Sequence, residues 1–107
     1  MQDGLYKAEF RGPFGSGSGV VVLKGTSFLG GDAGLAYAGT LLGEGDRYEA
    51  KLRTRRHTAT GAGSVLGGDE VEVTLHGQAT SETEITLSSP VPGSSQSFQA
   101  RLVKLQF

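Results

Sequence analysis

The chain has 107 residues, 36% hydrophobic and 20% charged, with 18 glycines, 3 prolines and neither cysteine nor tryptophan. This length fits one domain around one core, residues 1–107, and the apolar content is not that of a disordered chain. Ten basic against eleven acidic side chains leave a formal net charge of -1, too little for an overall pull on a phosphate backbone; the missing cysteine removes disulfides, thiolate nucleophiles and cysteine-ligated zinc.

The longest apolar run is Val20-Val21-Val22-Leu23, far short of the roughly 20 residues a membrane-spanning helix needs. Met1-Gln2-Asp3-Gly4 shows no basic stretch followed by an apolar one, so no secretory signal is expected. These features, with the absence of cysteine, point to a cytoplasmic protein with no membrane partner.

Alternation of period two dominates the chain, and glycines interrupt every window long enough for a helix. Leu5 to Phe10 reads as a strand with Tyr6, Ala8 and Phe10 on one face and Lys7 and Glu9 on the other. Arg11 to Ser18, rich in glycine around Pro13, reads as a turn. Gly19 to Leu23 is a second strand, apolar on both faces, and Thr26 to Leu29 a short third. Gly30-Gly31-Asp32 signals a turn before a fourth strand, Leu35 to Leu42. Gly43-Glu44-Gly45-Asp46 predicts a tight hairpin. In the fifth strand Tyr48, Ala50 and Leu52 alternate with Glu49, Lys51 and Arg53, and the pattern continues through Arg55. His57 to Gly68 reads as a longer loop with a single helical turn around Ala62 to Leu66.

Val71, Val73 and Leu75 then alternate with Glu72, Thr74 and His76. Thr83, Ile85 and Leu87 alternate with Glu84 and Thr86. Ser88 to Ser95 reads as a turn region. The last strand, Gln96 to Gln106, turns Phe98, Ala100 and Leu102 inward. Val103, Leu105 and Phe107 fall on the opposite phase, which a β-bulge or a second buried face would explain. Eight short strands predict an all-β fold, a small antiparallel eight-stranded barrel, with a β-sandwich as the alternative. Closure hides every edge and favours the barrel.

The stretches Asp3 to Phe10, Gly17 to Leu23, Gly30-Gly31-Asp32 and Tyr37-Ala38-Gly39 resemble the GrlR-like family, whose founding member is a negative regulator of type III secretion genes. The likeness is densest over the first forty residues. It implies a lipocalin-like, eight-stranded barrel that forms a homodimer and has an apolar cavity. It also implies a regulator that binds a transcriptional activator through an acidic surface loop. That loop corresponds to Gly43, Glu44, Gly45 and Asp46, of which only Glu44 and Asp46 are acidic, so these two are the candidate partner-binding residues. On a projecting hairpin two carboxylates can steer a basic partner or serve as ordinary solvated turn residues.

Lys51, Arg53, Arg55, Arg56 and His57 form the one basic cluster. Lys51, Arg53 and Arg55 share an outward strand face, where a phosphate-reading stripe competes with a solvated wall paired to Glu72. The near-neutral whole favours the wall, and no direct nucleic-acid binding is expected. His57 and His76 lack partners at metal-ligand spacing. Gly15-Ser16-Gly17-Ser18-Gly19 has neither the lysine nor the helix of a phosphate loop and reads as a flexible hairpin turn. No catalytic residue, metal or cofactor is expected, and the chain does not read as an enzyme.

Tyr6, Phe10, Phe28, Tyr37, Tyr48 and Phe98 are candidate cavity walls, with Ala8, Gly19, Gly39, Ala50 and Ala100 leaving space between them. A barrel of eight strands either fills with side chains or holds one small ligand. The expected function is a negative regulator that binds protein and sequesters a transcriptional activator. The alternatives are a barrel that binds a small apolar ligand, and a protein with a purely structural interaction role.

Overall fold

The computed structural model describes residues 1–60 and 67–107; the expected helical turn around Ala62 to Leu66 lies outside them. In chain order the strands are β1 (Gly4–Gly12), β2 (Gly15–Lys24), β3 (Ser27–Gly31), β4 (Leu35–Glu44), β5 (Arg47–Arg56), β6 (Glu70–Ser81), β7 (Glu84–Pro90) and β8 (Ser97–Lys104). Each strand pairs antiparallel with the next, and β8 returns to β1 to close an eight-stranded barrel. The closed ring leaves no open edge, and it sets aside the sandwich alternative. This all-β closed barrel is the one expected from the alternation, and it is consistent with the lipocalin-like form implied by the resemblance.

The period of two sorts side chains between the lumen and the outer wall. Tyr6 and Ala8, Val21 and Leu23, Tyr37 and Leu41, Ala50 and Leu52, Ile85 and Leu87 all point inward and are buried. Tyr6 and Ile85 are the largest fully buried side chains. Lys51, Arg53, Glu72, Thr74 and Thr86 alternate outward on the same strands and are exposed.

Several boundaries differ from the sequence reading, mostly at glycines. Arg11 to Ser18 is not a turn: β1 runs to Gly12, β2 begins at Gly15, and only Pro13 and Phe14 lie between them. Gly17 pairs with Phe10, and Gly19 pairs with Ala8. A Cβ on Gly19 would stand 2.9 Å from the Tyr37 ring, so glycine here admits an aromatic side chain to the lumen. Gly30 and Gly31 belong to β3 rather than to a turn, because Gly30 lets β2 and β3 approach closely. The reversal comes at Asp32 to Gly34 instead. The sixth strand runs past the alternation ending at His76 and continues to Ser81, and Ser88 to Pro90 extend β7. The phase change after Leu102 needs no bulge. The register irregularity lies between Ala79 and Ser81, while Val103 and Leu105 are half-buried and Leu105 N donates to Leu5 O at 2.8 Å.

Strand direction defines two mouths. Around the first stand Met1 to Asp3, Gly25-Thr26, Gly45-Asp46 and Glu82-Thr83; around the second stand Pro13-Phe14, Asp32 to Gly34, His57 and the turn after Pro90.

Candidate functional site in the barrel interior

The lumen contains a void of about 30 Å³ lined by Phe10, Val21, Phe28, Leu41, Ala50, Leu52, Leu75, Leu87, Ala100 and Leu102. No polar atom contributes to its wall. A second void of about 10 Å³, sharing Val21, Phe28, Leu41 and Leu102, continues toward Met1, Tyr6 and Leu23. A water needs roughly 10–15 Å³ of such space and two to four polar partners. The larger void has the room for one without the partners, which is the environment of a dry, apolar-binding cavity.

Of the expected cavity walls, Phe10 and Phe28 line the larger void, and Tyr6 and Phe28 line the smaller one. Tyr48, Tyr37 and Phe98 stand nearer the mouths. At the first mouth Met1 packs on the core and its amino group donates to Tyr48 Oη at 3.0 Å. Tyr6 Oη donates to the Gln2 carbonyl at 2.6 Å, so the one polar atom of a buried ring reaches the rim. Burial, then the nearby charges of Asp3 and Tyr48, raise the Tyr6 phenol above its ordinary 10.0.

A polar latch closes the second mouth. Asp32 accepts hydrogen bonds from Gly34 N and Leu35 N, both at 2.8 Å, and from the Tyr37 hydroxyl. His57 Nε2 donates to the Asp32 carbonyl at 3.0 Å, and Thr58 Oγ1 bonds Nδ1 at 2.7 Å. Burial alone would raise the Asp32 carboxyl, but the Tyr37, Gly34 and Leu35 hydrogen bonds, with His57 nearby, hold it below its ordinary 3.8. Burial, together with the bond and charge of Asp32, raises the Tyr37 phenol. The Tyr37 ring meets Phe10 edge-on with centroids 5.2 Å apart, and Phe14 lies 6.2 Å from Phe98.

Beside this latch stands Thr54, inward on β5 and paired in register with Tyr37 and Val71. Only 5% of it is exposed, and among the described residues its Oγ1 has no hydrogen-bond partner. Sequence reading passed over it because Arg53, Arg55 and Arg56 made the segment look like a charged surface; alternation from Ala50 and Leu52 was the available signal.

The basic cluster divides between the two faces. Arg53 pairs with Glu72 and Arg55 with Glu70, both at 3.3 Å on the outer wall, as expected for Glu72. Arg56 instead turns toward the second mouth and meets Asp69 at 2.6 Å. His76 lies on the outer wall 3.9 Å from Glu49. Glu44 ends β4 and Asp46 occupies the adjoining turn, both exposed beside Gly45 with φ +66°. The outer wall also carries an apolar row: Leu5 pairs with Val22, Val22 with Leu29, and Leu29 with Ala38. Val22 is 51% exposed and Leu29 67%. Among the described residues no cluster of His, Asp and Glu could hold a metal ion, and no helix is long and apolar enough to cross a membrane. No family model matches the chain, and no curated protein matches it.

Proposed function

We propose that this small closed barrel is a binding protein that takes one slender apolar ligand into its lumen. The observation that carries this reading is the void between Phe10, Phe28, Leu52 and Leu87, walled by carbon alone. Burying a methylene there is worth about 0.8 kcal/mol, and no side chain need lose a hydrogen bond to admit it. Longer ligands enter by moving Met1 at one mouth or the Phe10–Tyr37 pair at the other. The reading assigns no reaction. Native mass spectrometry of the purified protein tests it: a co-purified or added alkyl compound bound one to one supports it. Repeated failure to retain any, with no uptake of apolar dyes, refutes it.

A second reading is favoured by the outer pair Val22 and Leu29, since exposed aliphatic side chains in register suit a protein contact. On this reading the barrel is a GrlR-like negative regulator in the cytoplasm, a homodimer that sequesters a transcriptional activator, with Glu44 and Asp46 steering a basic partner. Leu29→Lys would then lower dimer mass in sedimentation, and Glu44→Ala with Asp46→Ala would weaken binding to the activator. Unchanged mass and unchanged affinity would dismiss it.

A further inference from the structure

The glycine-serine stretch of β2 borders a concavity on the outer wall, separate from the lumen. Period two sends Ser16 and Ser18 outward. In register across β2, β1 and β8 stand Ser16, Arg11 and Gln99, and beside them Ser18, Glu9 and Arg101. Thr86 of β7 continues the second row from Arg101. With Lys7 these residues surround a depression of about 500 Å³, within the size range of small-molecule sites. Phe10 and Ala100 also border it but face the lumen void, so the side chains it offers a ligand are polar or charged.

Most of the charge here is already paired. Lys7 meets Glu9 at 3.1 Å, and Arg101 meets Glu84. Arg11 is exposed and has no ion pair or side-chain hydrogen bond among the described residues. One unneutralised guanidinium therefore stands between a serine hydroxyl and a glutamine amide.

We propose that this depression binds a sugar acid, a polyhydroxylated ring carrying one carboxylate. The carboxylate takes the Arg11 guanidinium, whose paired N–H groups match its two oxygens. Ser16, Ser18, Thr86 and Gln99 both donate and accept, as ring hydroxyls require. From Ser16 over Arg11 to Gln99 is two strand spacings, about 9–10 Å, wide enough to seat one such ring with its substituents. A single unpaired cation matches a single negative charge. A phosphate monoester carries about −1.5 to −2 near neutrality and would set its excess against Glu9. An apolar molecule finds no carbon wall here.

The test is an NMR titration of isotope-labelled protein, at low ionic strength, with D-glucuronate, D-glucose and acetate in turn. D-glucuronate should shift the amides of Arg11, Ser16, Ser18 and Gln99. Its midpoint should be lower than that of D-glucose, which lacks the charge, and of acetate, which lacks the ring. Arg11→Gln should raise the D-glucuronate midpoint about five- to tenfold, the loss of one hydrogen-bonded contact, and leave D-glucose unchanged. Ser18→Ala with Thr86→Ala should raise the midpoints of both sugars and leave acetate unchanged. An unaltered D-glucuronate midpoint in Arg11→Gln, or acetate as effective as D-glucuronate, overturns the proposal. Shifts of equal size at Lys24 and Lys51 also overturn it, because they mark a general attraction to exposed cations.

Discussion

Replacing Thr54 with valine should stabilise the ligand-free barrel. The side chain is 5% exposed, faces the lumen and leaves Oγ1 without a partner among the described residues. Valine keeps nearly the same shape and exchanges that hydroxyl for a methyl. The folded protein carries the desolvation penalty of the unpaired group, about 1–3 kcal/mol, and valine removes it. Partial relief gives an expected gain of about 1–2 kcal/mol, which for a urea slope of about 1–3 kcal/mol per molar moves the midpoint up by roughly 0.3–2 M. Urea unfolding followed by circular dichroism measures it, with the slope unchanged if the unfolded chains are alike. Thr54→Ala serves as the control, since it removes the hydroxyl and also opens space, and it should fall below Thr54→Val. A midpoint for Thr54→Val below that of the unsubstituted protein would refute the reasoning, because it would mean that the hydroxyl makes a bond inside the folded barrel.

The latch at the second mouth predicts a dependence on pH at both extremes. Asp32 is held below its ordinary 3.8, so its stabilisation is complete above about pH 4 and drains away as pH falls through the lowered value. Tyr37 is raised above its ordinary 10.0, so its contribution is complete below about pH 10 and is lost as pH rises through the raised value. Tyr37→Phe should cost about 1.5 kcal/mol near neutrality, the low end for a bond to a charged group, and flatten the acid limb of a plot of urea midpoint against pH; an unaltered acid limb would contradict the latch. Gly39→Ala should be among the harshest small substitutions, because its Cβ would strike the Lys51 backbone carbonyl and crowd the Phe28 ring. Overpacking against a strand costs about 1–3 kcal/mol, and a thermal midpoint within a degree of the unsubstituted protein would rule that crowding out.

Much of this architecture was legible in the chain, because alternation of side chains is a direct image of a wall with one wet and one dry face. Tyr48 to Arg55 and Val71 to His76 announce both their strands and their outward ion pairs. Glycine was where the reading failed. A turn and a close approach both call for a missing Cβ, and a short stretch of sequence does not separate them. Gly15 to Ser18 and Gly30-Gly31 therefore looked like turns, while their partners across the sheet, Phe10, Tyr37 and Val20, explain them as strand. The latch of Asp32, Tyr37 and His57 joins a turn, a strand and a strand end up to 25 residues apart, a proximity set by the closed register. Six inward aromatics were legible from the period, but only the packing separates Phe10 and Phe28 at the large void from Tyr48 and Phe98 nearer the mouths.

The claim that a dry apolar void lies inside a closed barrel is tested most directly by a crystal structure under xenon pressure. Xenon enters space lined by carbon and needs no polar partner. One ordered atom bounded by Phe28, Leu52, Leu75 and Leu87 is the result expected here. Xenon absent from the lumen, or found only against Val22 and Leu29 on the outer wall, would contradict it.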